Sequence, residues 1–212
     1  MVNRSSHTYL SSASITLSEA EWLTELPAKM INAVIDRGEI PRARANRKDT
    51  ARRGARILSH ADVVYLALRH KLGSLLSASA KSELYEGLAS LDLVGREMKT
   101  ERHPQADLEI ALAGGMIRID MKETNNRLQK RWLALRNAEK FVVSDQDIRG
   151  GEPVIRNTRV PVYLIADLIK QGAALDELLE DYPSLNAARI RAAVVYAEAH
   201  PRRGRPRKAP WK

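Results

Sequence analysis

The chain has 212 residues, 44% of them hydrophobic but only 5% aromatic, and a formal net charge of +9. Its length allows one large or two small domains, and small cores of Ala, Leu, Val and Ile favour helical packing. The positive charge predicts a polyanionic or strongly acidic partner, and the absence of cysteine excludes disulfides, thiolate catalysis and Cys-type zinc sites.

The N-terminal segment MVNRSSHTYLSSAS lacks the apolar core of a signal peptide. No run approaches the roughly 18 apolar residues that a membrane span needs. We therefore expect a soluble, cytoplasmic protein without a membrane partner.

A first helix is predicted near the start of the patterned region. Ser18 and Glu21 have the spacing of a capping box, in which the first side chain caps the helix and the second bonds back to it. The helix covers about 18–24 and ends before Leu26-Pro27, because proline disrupts a helix interior.

A second helix is predicted over residues 28–37. Its apolar residues fall on one stripe, at Met30, Ile31, Val34 and Ile35. Gly38 ends the helix, since glycine is the usual residue after a helix C-terminus. Two short helices joined by a tight turn are what a helix-turn-helix requires.

The segment IPRARANRKDTARRGARIL, residues 40–58, alternates basic with small residues and predicts a basic β-hairpin, or wing, with Gly54 between its strands. From residue 37 to residue 56, eight Lys/Arg residues face two acids, Glu39 and Asp49. Phosphate contact requires long cationic side chains on an element that follows the nucleic-acid backbone. A solvated basic loop is the alternative, but the preceding helix pair favours DNA binding.

Two longer helices are predicted next, completing a winged-helix DNA-binding domain of residues 1–95. Ser59-His60-Ala61-Asp62 has the chemistry of a helix start. The apolar face of the helix that follows contains Val63, Val64, Leu66, Ala67 and Leu72. The second of these helices covers about 78–91.

Residues 96–140 predict a hairpin and a connecting helix. Segments 107–112 and 116–121 alternate apolar with polar residues around a Gly-Gly pair, which is typical of a two-stranded hairpin. The very polar pattern over 122–138 is helical and connects the two halves. A lone two-stranded hairpin is marginally stable, so we expect it to lie in a homodimer interface.

Residues 141–200 predict three compact helices that resemble a homeodomain-like trihelical unit. Their patterns cover 163–171, 175–181 and 187–199. The predicted fold class is mainly α with small β-hairpins, an N-terminal winged helix-turn-helix being followed by this trihelical domain. The basic, Pro-rich tail PRRGRPRKAPWK, residues 201–212, is expected to be disordered when free.

The loop RGGEPVIRNTRVPV, residues 149–162, has three possible roles: a catalytic loop, an anion cradle or a rigid entry to the trihelical domain. Asparagine tolerates a left-handed backbone, so Asn157 predicts a positive φ in a fixed turn. Thr158 or Asn157 is expected to cap the helix that follows. Structural entry is the favoured role, and Arg159 is the residue that an anion site would use.

Catalytic patterns are weak throughout the chain. The histidines are scattered, at His7, His60, His70, His103 and His200. Glu177, Glu180 and Asp181 share a short helix, where a solvated face is the ordinary role. No nucleophile–base pair or phosphate-binding loop is recognisable. We expect no catalytic residue, metal or cofactor, and a protein that is not an enzyme.

Residues 15–70 resemble a winged-helix domain of the MerR type. By that similarity Lys29 and Asn32 face the major groove, while the wing meets the DNA backbone. The residues expected to bind DNA are Lys29, Asn32, Arg37, Arg42, Arg44, Arg47, Lys48, Arg52 and Arg53.

Residues 142–201 resemble the antitoxin-associated domain-of-unknown-function family 433. Its motif Gly-x-Pro-x-Ile-x-x-Thr-Arg-x-x-Val occurs here as Gly151 to Val162. Gly172, Tyr182-Pro183 and Tyr196 also match, but Asn157 stands where the family usually has Gly.

This resemblance implies the antitoxin half of a type II toxin–antitoxin pair, similar to VapB-type antitoxins. The partners it implies are operator DNA and a toxin of the PIN or PIN-like class, a metal-dependent ribonuclease with a carboxylate cluster at its active site. A two-fold operator favours a homodimer.

The tail has two possible partners. Arg203-Gly204-Arg205-Pro206-Arg207 resembles an AT-hook, which enters a narrow minor groove, yet the same arginines could pair with the toxin's carboxylates and replace its metal. Toxin contact is favoured, and the residues expected to make it are Arg159, Arg202, Arg203, Arg205 and Arg207. The alternatives are a stand-alone DNA-binding regulator or architectural protein with an AT-hook-like tail and, less favoured, an enzyme whose anionic substrate is held by Arg156 and Arg159.

Overall fold

The computed structural model describes residues 15–40, 56–73, 75–90, 108–112 and 115–202. Within these ranges the chain forms eight α-helices and three two-stranded antiparallel sheets. The expected fold class, mainly α with small β elements, is confirmed. The described helices are all too short or too polar to cross a membrane.

The chain divides into two compact units, unit 1 (Met1–Lys130) and unit 2 (Arg131–Lys212). The boundary falls within the long polar helix that was expected to connect the halves. Up to and including that helix, the elements are β1 (Ile15–Thr16), α1 (Leu17–Thr24), α2 (Ala28–Asp36), β2 (Ile57–Leu58), α3 (His60–Leu72), α4 (Ala78–Ser90), β3 (Leu108–Leu112), β4 (Gly115–Ile119) and α5 (Lys122–Lys140).

Helix α1 begins earlier than its predicted cap. Thr16, not Ser18, accepts from the backbone N–H of Glu19, and the Glu19 carboxylate accepts from the Thr16 N–H at 2.6 Å. The same Thr-x-x-Glu spacing forms a capping box two residues upstream of the predicted one. Pairing of Thr16 with Ile57 in a short sheet holds the cap in extended backbone.

Helix α2 follows a tight turn in which Glu25 adopts a left-handed backbone, with φ of 60°. Ile31 and Val34 are buried as expected, but Met30 is 41% exposed and lies outside the core. In a nine-residue helix only a narrow stripe faces the core, so the position beside it is left at the surface. Gly38 ends the helix with φ of 74°, as predicted.

The predicted wing is described only at its end. Residues 41–55 lie outside the described residues. Ile57 and Leu58 form β2, whose partner among the described residues is β1: Ile15 pairs with Leu58 and Thr16 with Ile57. The end of the basic segment is therefore joined to the strand that precedes α1.

Helix α3 is the centre of unit 1. Its start is capped as expected, with Ser59 and Asp62 forming a capping box. Its residues 61–68 are all buried, so the helix is covered on every side and not only along one face. The buried Asp62 carboxylate also accepts from the Tyr85 hydroxyl at 2.9 Å, which joins α3 to α4.

The predicted hairpin is present as strands β3 and β4. Leu108 pairs with Ile119 and Leu112 with Gly115, one residue earlier than expected for the second strand. Glu109 and Arg118 face each other and form an exposed ion pair at 2.7 Å. Strand β3 lies beside α4, so the hairpin is supported within unit 1.

Unit 2 continues with β5 (Val142–Val143), β6 (Val154–Ile155), α6 (Val162–Lys170), α7 (Leu175–Asp181) and α8 (Ala187–Ala199). The three predicted helices are present, and α6 packs against α8. Of the predicted stripe on α6, Ile165 is fully buried while Leu164 is 38% exposed. The core consists of Val142, Ile155, Val162, Ile165, Leu178, Leu185, Ile190 and Ala193.

Candidate functional site

Helix α2 carries the residues expected to face the major groove. Lys29 is exposed in its first turn, and Asn32, three residues later on the same side, is half-buried. Arg37 follows the helix with 54% of its side chain exposed. The remaining predicted DNA-binding residues lie outside the described residues: Arg42, Arg44, Arg47, Lys48, Arg52 and Arg53.

Arg56 connects the end of the basic segment to α2. Its guanidinium donates to the Asn32 side-chain oxygen at 2.7 Å and forms an ion pair with Asp36. Because the Asn32 oxygen accepts from Arg56, the amide NH₂ group is the part of this side chain that can donate to a base edge. Asp36 also places a carboxylate near the predicted DNA-facing side.

Glu39 anchors the turn that follows α2. Arg69 of α3 donates to it from two guanidinium nitrogens, Tyr65 donates its hydroxyl at 3.0 Å, and Arg37 donates at 2.8 Å. Burial raises the pKa of Glu39, but the hydrogen bonds from Arg69, Arg37 and Tyr65 outweigh it and lower the pKa from 4.5 to about 2. The carboxylate is therefore ionised at neutral pH and holds the end of α2 against α3.

A cavity of about 970 Å³ lies beside this cluster, between Glu39 and α4. Lys81 and Glu86 of α4 line its far wall. Arg37 and Arg69 also line it, but both are already paired with Glu39. Since the wall carries both signs of charge and most of the cations are paired, the cavity indicates no particular ligand.

The 149–162 loop contains a hydrogen-bonded turn that we call the 155–160 turn. The N–H of Ile155 donates to the Val160 carbonyl at 2.9 Å, and the N–H of Thr158 donates to the Ile155 carbonyl at 3.0 Å. The Thr158 hydroxyl donates to the Ile155 carbonyl at 2.7 Å and accepts from the Val160 N–H at 3.1 Å. Asn157, at the tip, has φ of 61°, so the predicted positive φ is confirmed.

Helix α6 starts without the side-chain cap expected from Thr158 or Asn157. Pro161 is the cap position and has no side-chain hydrogen bond to the helix. The Val162 N–H donates instead to the Pro153 carbonyl at 3.0 Å, which satisfies a donor at the helix start. The Thr158 hydroxyl is occupied within the turn, so a backbone hydrogen bond takes the place of the side-chain cap.

Arg149, Gly150 and Gly151 are three consecutive residues in the left-handed region, with φ of 51°, 66° and 84°. A Cβ at Gly151 would lie 2.7 Å from the Gln146 side chain. Arg149 donates to Glu152 at 3.0 Å across this turn. The Gly-Gly pair therefore serves a tight backbone reversal.

The two arginines of the turn have different surroundings. Arg156 donates to the backbone carbonyls of Lys140 at 2.8 Å and Val142 at 3.2 Å, and so joins the turn to the end of α5. Arg159 is exposed and has no hydrogen bond or ion pair to any residue that the structure describes. Arg156 and Arg159 were the two residues that an anionic substrate was expected to need. Of these two, Arg159 is the one whose guanidinium makes no hydrogen bond or ion pair to a described residue.

Arg202 is the last described residue and lies against unit 2. Its guanidinium lies 3.7 Å from Glu152 and 3.6 Å from Asp167, and it stacks 4.7 Å above the centre of the Tyr163 ring. The Tyr163 hydroxyl donates to the His200 carbonyl at 2.8 Å. These contacts hold residues 200–202 beside α6. Three more predicted toxin-binding residues, Arg203, Arg205 and Arg207, lie outside the described residues.

The acidic residues of α7 are exposed, and one of them caps its own helix. The Glu177 carboxylate accepts from the Ala174 N–H at 3.4 Å, three residues upstream. Glu180 and Asp181 are also exposed. A helix-start role accounts for Glu177 without any ligand.

Sequence reasoning missed the residues that hold these surfaces in place. Tyr65 and Arg69 contact Glu39 across 26 and 30 residues of chain, and Tyr163 contacts His200 across 37. Each is an ordinary residue on a helix pattern, and no local spacing marks it. The one available signal was the isolated Glu39 within an otherwise basic stretch.

One segment of this chain is similar to a described family. Residues 142–197 match the family "Protein of unknown function (DUF433)". This DUF433 segment includes the 155–160 turn, α6, α7 and all of α8 except its end. The resemblance expected for residues 142–201 is confirmed over these residues, while the MerR-type and VapB-type resemblances stay predictions.

One relative extends the similarity. The chain is 45% identical over 89 residues to the uncharacterized protein y4eO of Sinorhizobium fredii (strain NBRC 101917 / NGR234). The aligned part is 42% of this chain and 40% of the relative, so this chain spans less than half the length of the protein it matches. No solved structure matches the chain.

Proposed function

We propose that this chain is an antitoxin that binds and inhibits a PIN-like ribonuclease toxin and regulates its own operon by binding DNA. The observation that carries the proposal is the DUF433 segment, residues 142–197, which lies in a strongly basic chain. Its exposed Arg159, on the 155–160 turn, and the arginines of the basic tail are the guanidinium groups available to a partner. Guanidinium pairs bidentately with carboxylates, which are the active-site groups of that toxin class.

Inhibition in this proposal combines occlusion with charge pairing. Unit 2 covers the mouth of the active site, while Arg203, Arg205 or Arg207 enters it and occupies the place of the catalytic metal. The contacts of Arg202 with Tyr163, Glu152 and Asp167 support this arrangement, because they fix the residue that immediately precedes these arginines.

DNA binding is assigned to unit 1. The support is the exposed Lys29 on α2, the exposed Arg37 at its end, and the basic stretch that follows. The Glu39 cluster holds α2 against α3, so the DNA-facing helix is presented on a rigid support. Two copies of such a unit would read a two-fold operator, which is the reason for proposing a homodimer.

The proposed role is not enzymatic. An anionic substrate held by Arg156 and Arg159 would need both guanidinium groups, and Arg156 already donates to two backbone carbonyls of its own unit. A single free guanidinium suits recognition of a partner's carboxylate better than orientation of a reacting group.

The deciding experiment is co-expression of the full chain with the product of the adjacent gene, beside a version truncated after His200. We expect a stable complex in which ribonuclease activity is suppressed, and restored activity on truncation. Suppression that survives truncation would make unit 2 the inhibitor and assign the tail to DNA.

Absence of any complex would contradict the antitoxin proposal. The remaining function would be a stand-alone DNA-binding regulator with an AT-hook-like tail. Filter binding to the chain's own upstream DNA, measured at several salt concentrations, would then test the regulator function. Release of counterions makes the affinity of phosphate contacts fall steeply as the salt concentration rises.

A further inference from the structure

A cleft of about 440 Å³ lies beside the 155–160 turn. We call it the Arg159 socket; it is lined by Val143, Ile148, Arg156, Asn157, Thr158 and Arg159. Its volume is near the lower end of the roughly 300–1,000 Å³ typical of ligand pockets. The cleft has room for a few side chains of a partner.

The rim of the socket is rigid at Arg159. On one side, the Thr158 hydroxyl and N–H bond within the turn, and on the other, both backbone groups of Val160 are bonded. The backbone that carries Arg159 therefore needs no ordering when a partner binds. Only the side-chain rotamers of Arg159 lose freedom, which keeps the entropy cost of binding small.

The lining of the socket combines aliphatic and cationic groups. Val143 and Ile148 are half-buried and present methyl groups, while Arg159 is exposed at the edge. Arg156 is committed to the carbonyls of Lys140 and Val142, so one fully free guanidinium faces the partner. This arrangement fits one carboxylate next to one aliphatic side chain.

Other occupants fit these surroundings less well. A single-stranded nucleic acid is usually held by stacking on aromatic rings and by several cations, and the described lining of this cleft has no aromatic residue. The chain's own tail is basic from Arg202 onward, so it carries the same charge as Arg159 and is repelled by it. Charge complementarity therefore selects an acidic partner segment.

We propose that the Arg159 socket is a protein-docking site that receives an acidic residue and an adjacent aliphatic residue from the partner toxin. The proposal rests on the proposed antitoxin function and adds a second contact, separate from the basic tail. In it, Arg159 pairs with the carboxylate while Val143 and Ile148 receive the aliphatic side chain.

The test measures the affinity of the full chain for the co-expressed product of the adjacent gene. We expect Arg159→Glu to weaken binding by about 30-fold or more, because it places two carboxylates opposite each other. Arg191→Glu is the matched control: Arg191 is exposed on α8 and the charge change is the same. We expect the control to change affinity by less than about threefold.

A second pair of variants tests the aliphatic half of the socket. We expect Ile148→Ser to weaken binding by about tenfold, and Leu164→Ser, at a 38% exposed position on α6, to have little effect. Circular dichroism and thermal unfolding show whether each variant is folded. Restoration of Arg159→Glu binding by one acidic-to-Arg substitution in the partner would identify the pairing carboxylate.

The outcomes separate the two proposals. If the wild-type complex forms and Arg159→Glu binds as tightly as Arg191→Glu, the socket is wrong while the antitoxin function stands. If no complex forms, both proposals fail. Two further results would also overturn the socket, if the complex itself is unaffected by Arg159→Glu. One is that the variant loses binding to a fluorescein-labelled single-stranded RNA. The other is that the variant changes the self-association of the isolated chain.

Discussion

Donors from α3 and from the end of α2 converge on the carboxylate of Glu39. Arg69, Tyr65 and Arg37 all donate to it, and it is the only acid between Arg37 and Asp49 in the sequence. Removing its charge leaves Arg69 partly buried without its partner. The residue therefore links the position of α2 to the stability of unit 1.

We expect Glu39→Gln to lower the free energy of unfolding by about 1–2 kcal/mol at pH 7, less than the pKa change alone implies because nearby solvent screens the pair. The lowered pKa of Glu39, about 2, means that its contribution is fully present above pH 4.5 and is lost as the pH falls toward 2. Urea unfolding of both proteins over that range measures the difference.

The matched control is Glu86→Gln, because Glu86 is exposed and lines the same cavity without contacting the Arg69 cluster. Its effect on unfolding should be within about 0.5 kcal/mol. A difference between wild type and Glu39→Gln that stays constant from pH 5 to pH 2 would contradict the assignment of the low pKa to Glu39.

Asn157 supplies the left-handed residue at the tip of the 155–160 turn. We expect Asn157→Val to destabilise unit 2 by about 1–2 kcal/mol, because a β-branched side chain clashes with the backbone at positive φ. Asn157→Gly should be neutral within about 0.5 kcal/mol, since glycine adopts this φ freely but loses more entropy on folding. Thermal unfolding of the two variants checks the order; equal stability would show that the turn relaxes.

At the scale of elements, short strands and turns determine how the helices meet. Strand β1 pairs with β2, which brings the end of the basic segment beside the start of α1. Strand β5 pairs with β6, with Val142 opposite Ile155, and these two residues belong to the core of unit 2. Sheets of two residues per strand are marginal alone, so side chains must secure them.

Arg156 secures the sheet of β5 and β6. We expect Arg156→Ala to increase the hydrogen exchange rates of the backbone amides at positions 143 and 156 by about tenfold. The reason is that the side-chain hydrogen bonds to the Lys140 and Val142 carbonyls are lost. Arg191→Ala, at an exposed position on α8, is the control and should leave these amides unchanged. Unchanged protection in Arg156→Ala would show that the backbone pairing alone suffices.

At the scale of the whole molecule, the chain consists of two units with separate cores and, in our proposal, separate partners. Unit 1 carries α2, the helix proposed to face DNA, and unit 2 carries the Arg159 socket and Arg202, the residue before the rest of the tail. Each surface is exposed on its own unit. Substitutions in one unit should therefore leave the binding function of the other intact.

We expect Lys29→Glu to abolish binding to the chain's own upstream DNA and to leave the complex with the adjacent gene product unchanged. Arg159→Glu is expected to weaken that complex and to leave DNA binding unchanged. Lys130→Glu, at an exposed position on α5, is the charge-matched control for DNA binding. Mobility shift and co-purification on the same full-length proteins measure both functions. Loss of both functions in either variant would contradict the division of labour.

The helices of unit 2, the hairpin of unit 1 and the positive φ at Asn157 were predictable because their causes are local. Apolar periodicity, the alternation around a Gly-Gly pair and the backbone preference of asparagine each act within a few residues. The start of α1 was predicted wrongly because two Ser/Thr-x-x-Glu patterns overlap, and only the pairing of Thr16 with Ile57 selects one of them.

What the sequence alone determined was the class of fold, the basic character and the match of residues 142–197 to DUF433, since composition and periodic patterns carry these properties. Only the tertiary structure decided which cations are free. Arg156, Arg159 and Arg202 have the same charge and are all exposed. Arg156 donates to backbone carbonyls, Arg202 stacks on a tyrosine ring, and Arg159 has no hydrogen bond or ion pair to a described residue. The availability of a side chain depends on neighbours that the fold brings from distant parts of the chain, and no local pattern records them.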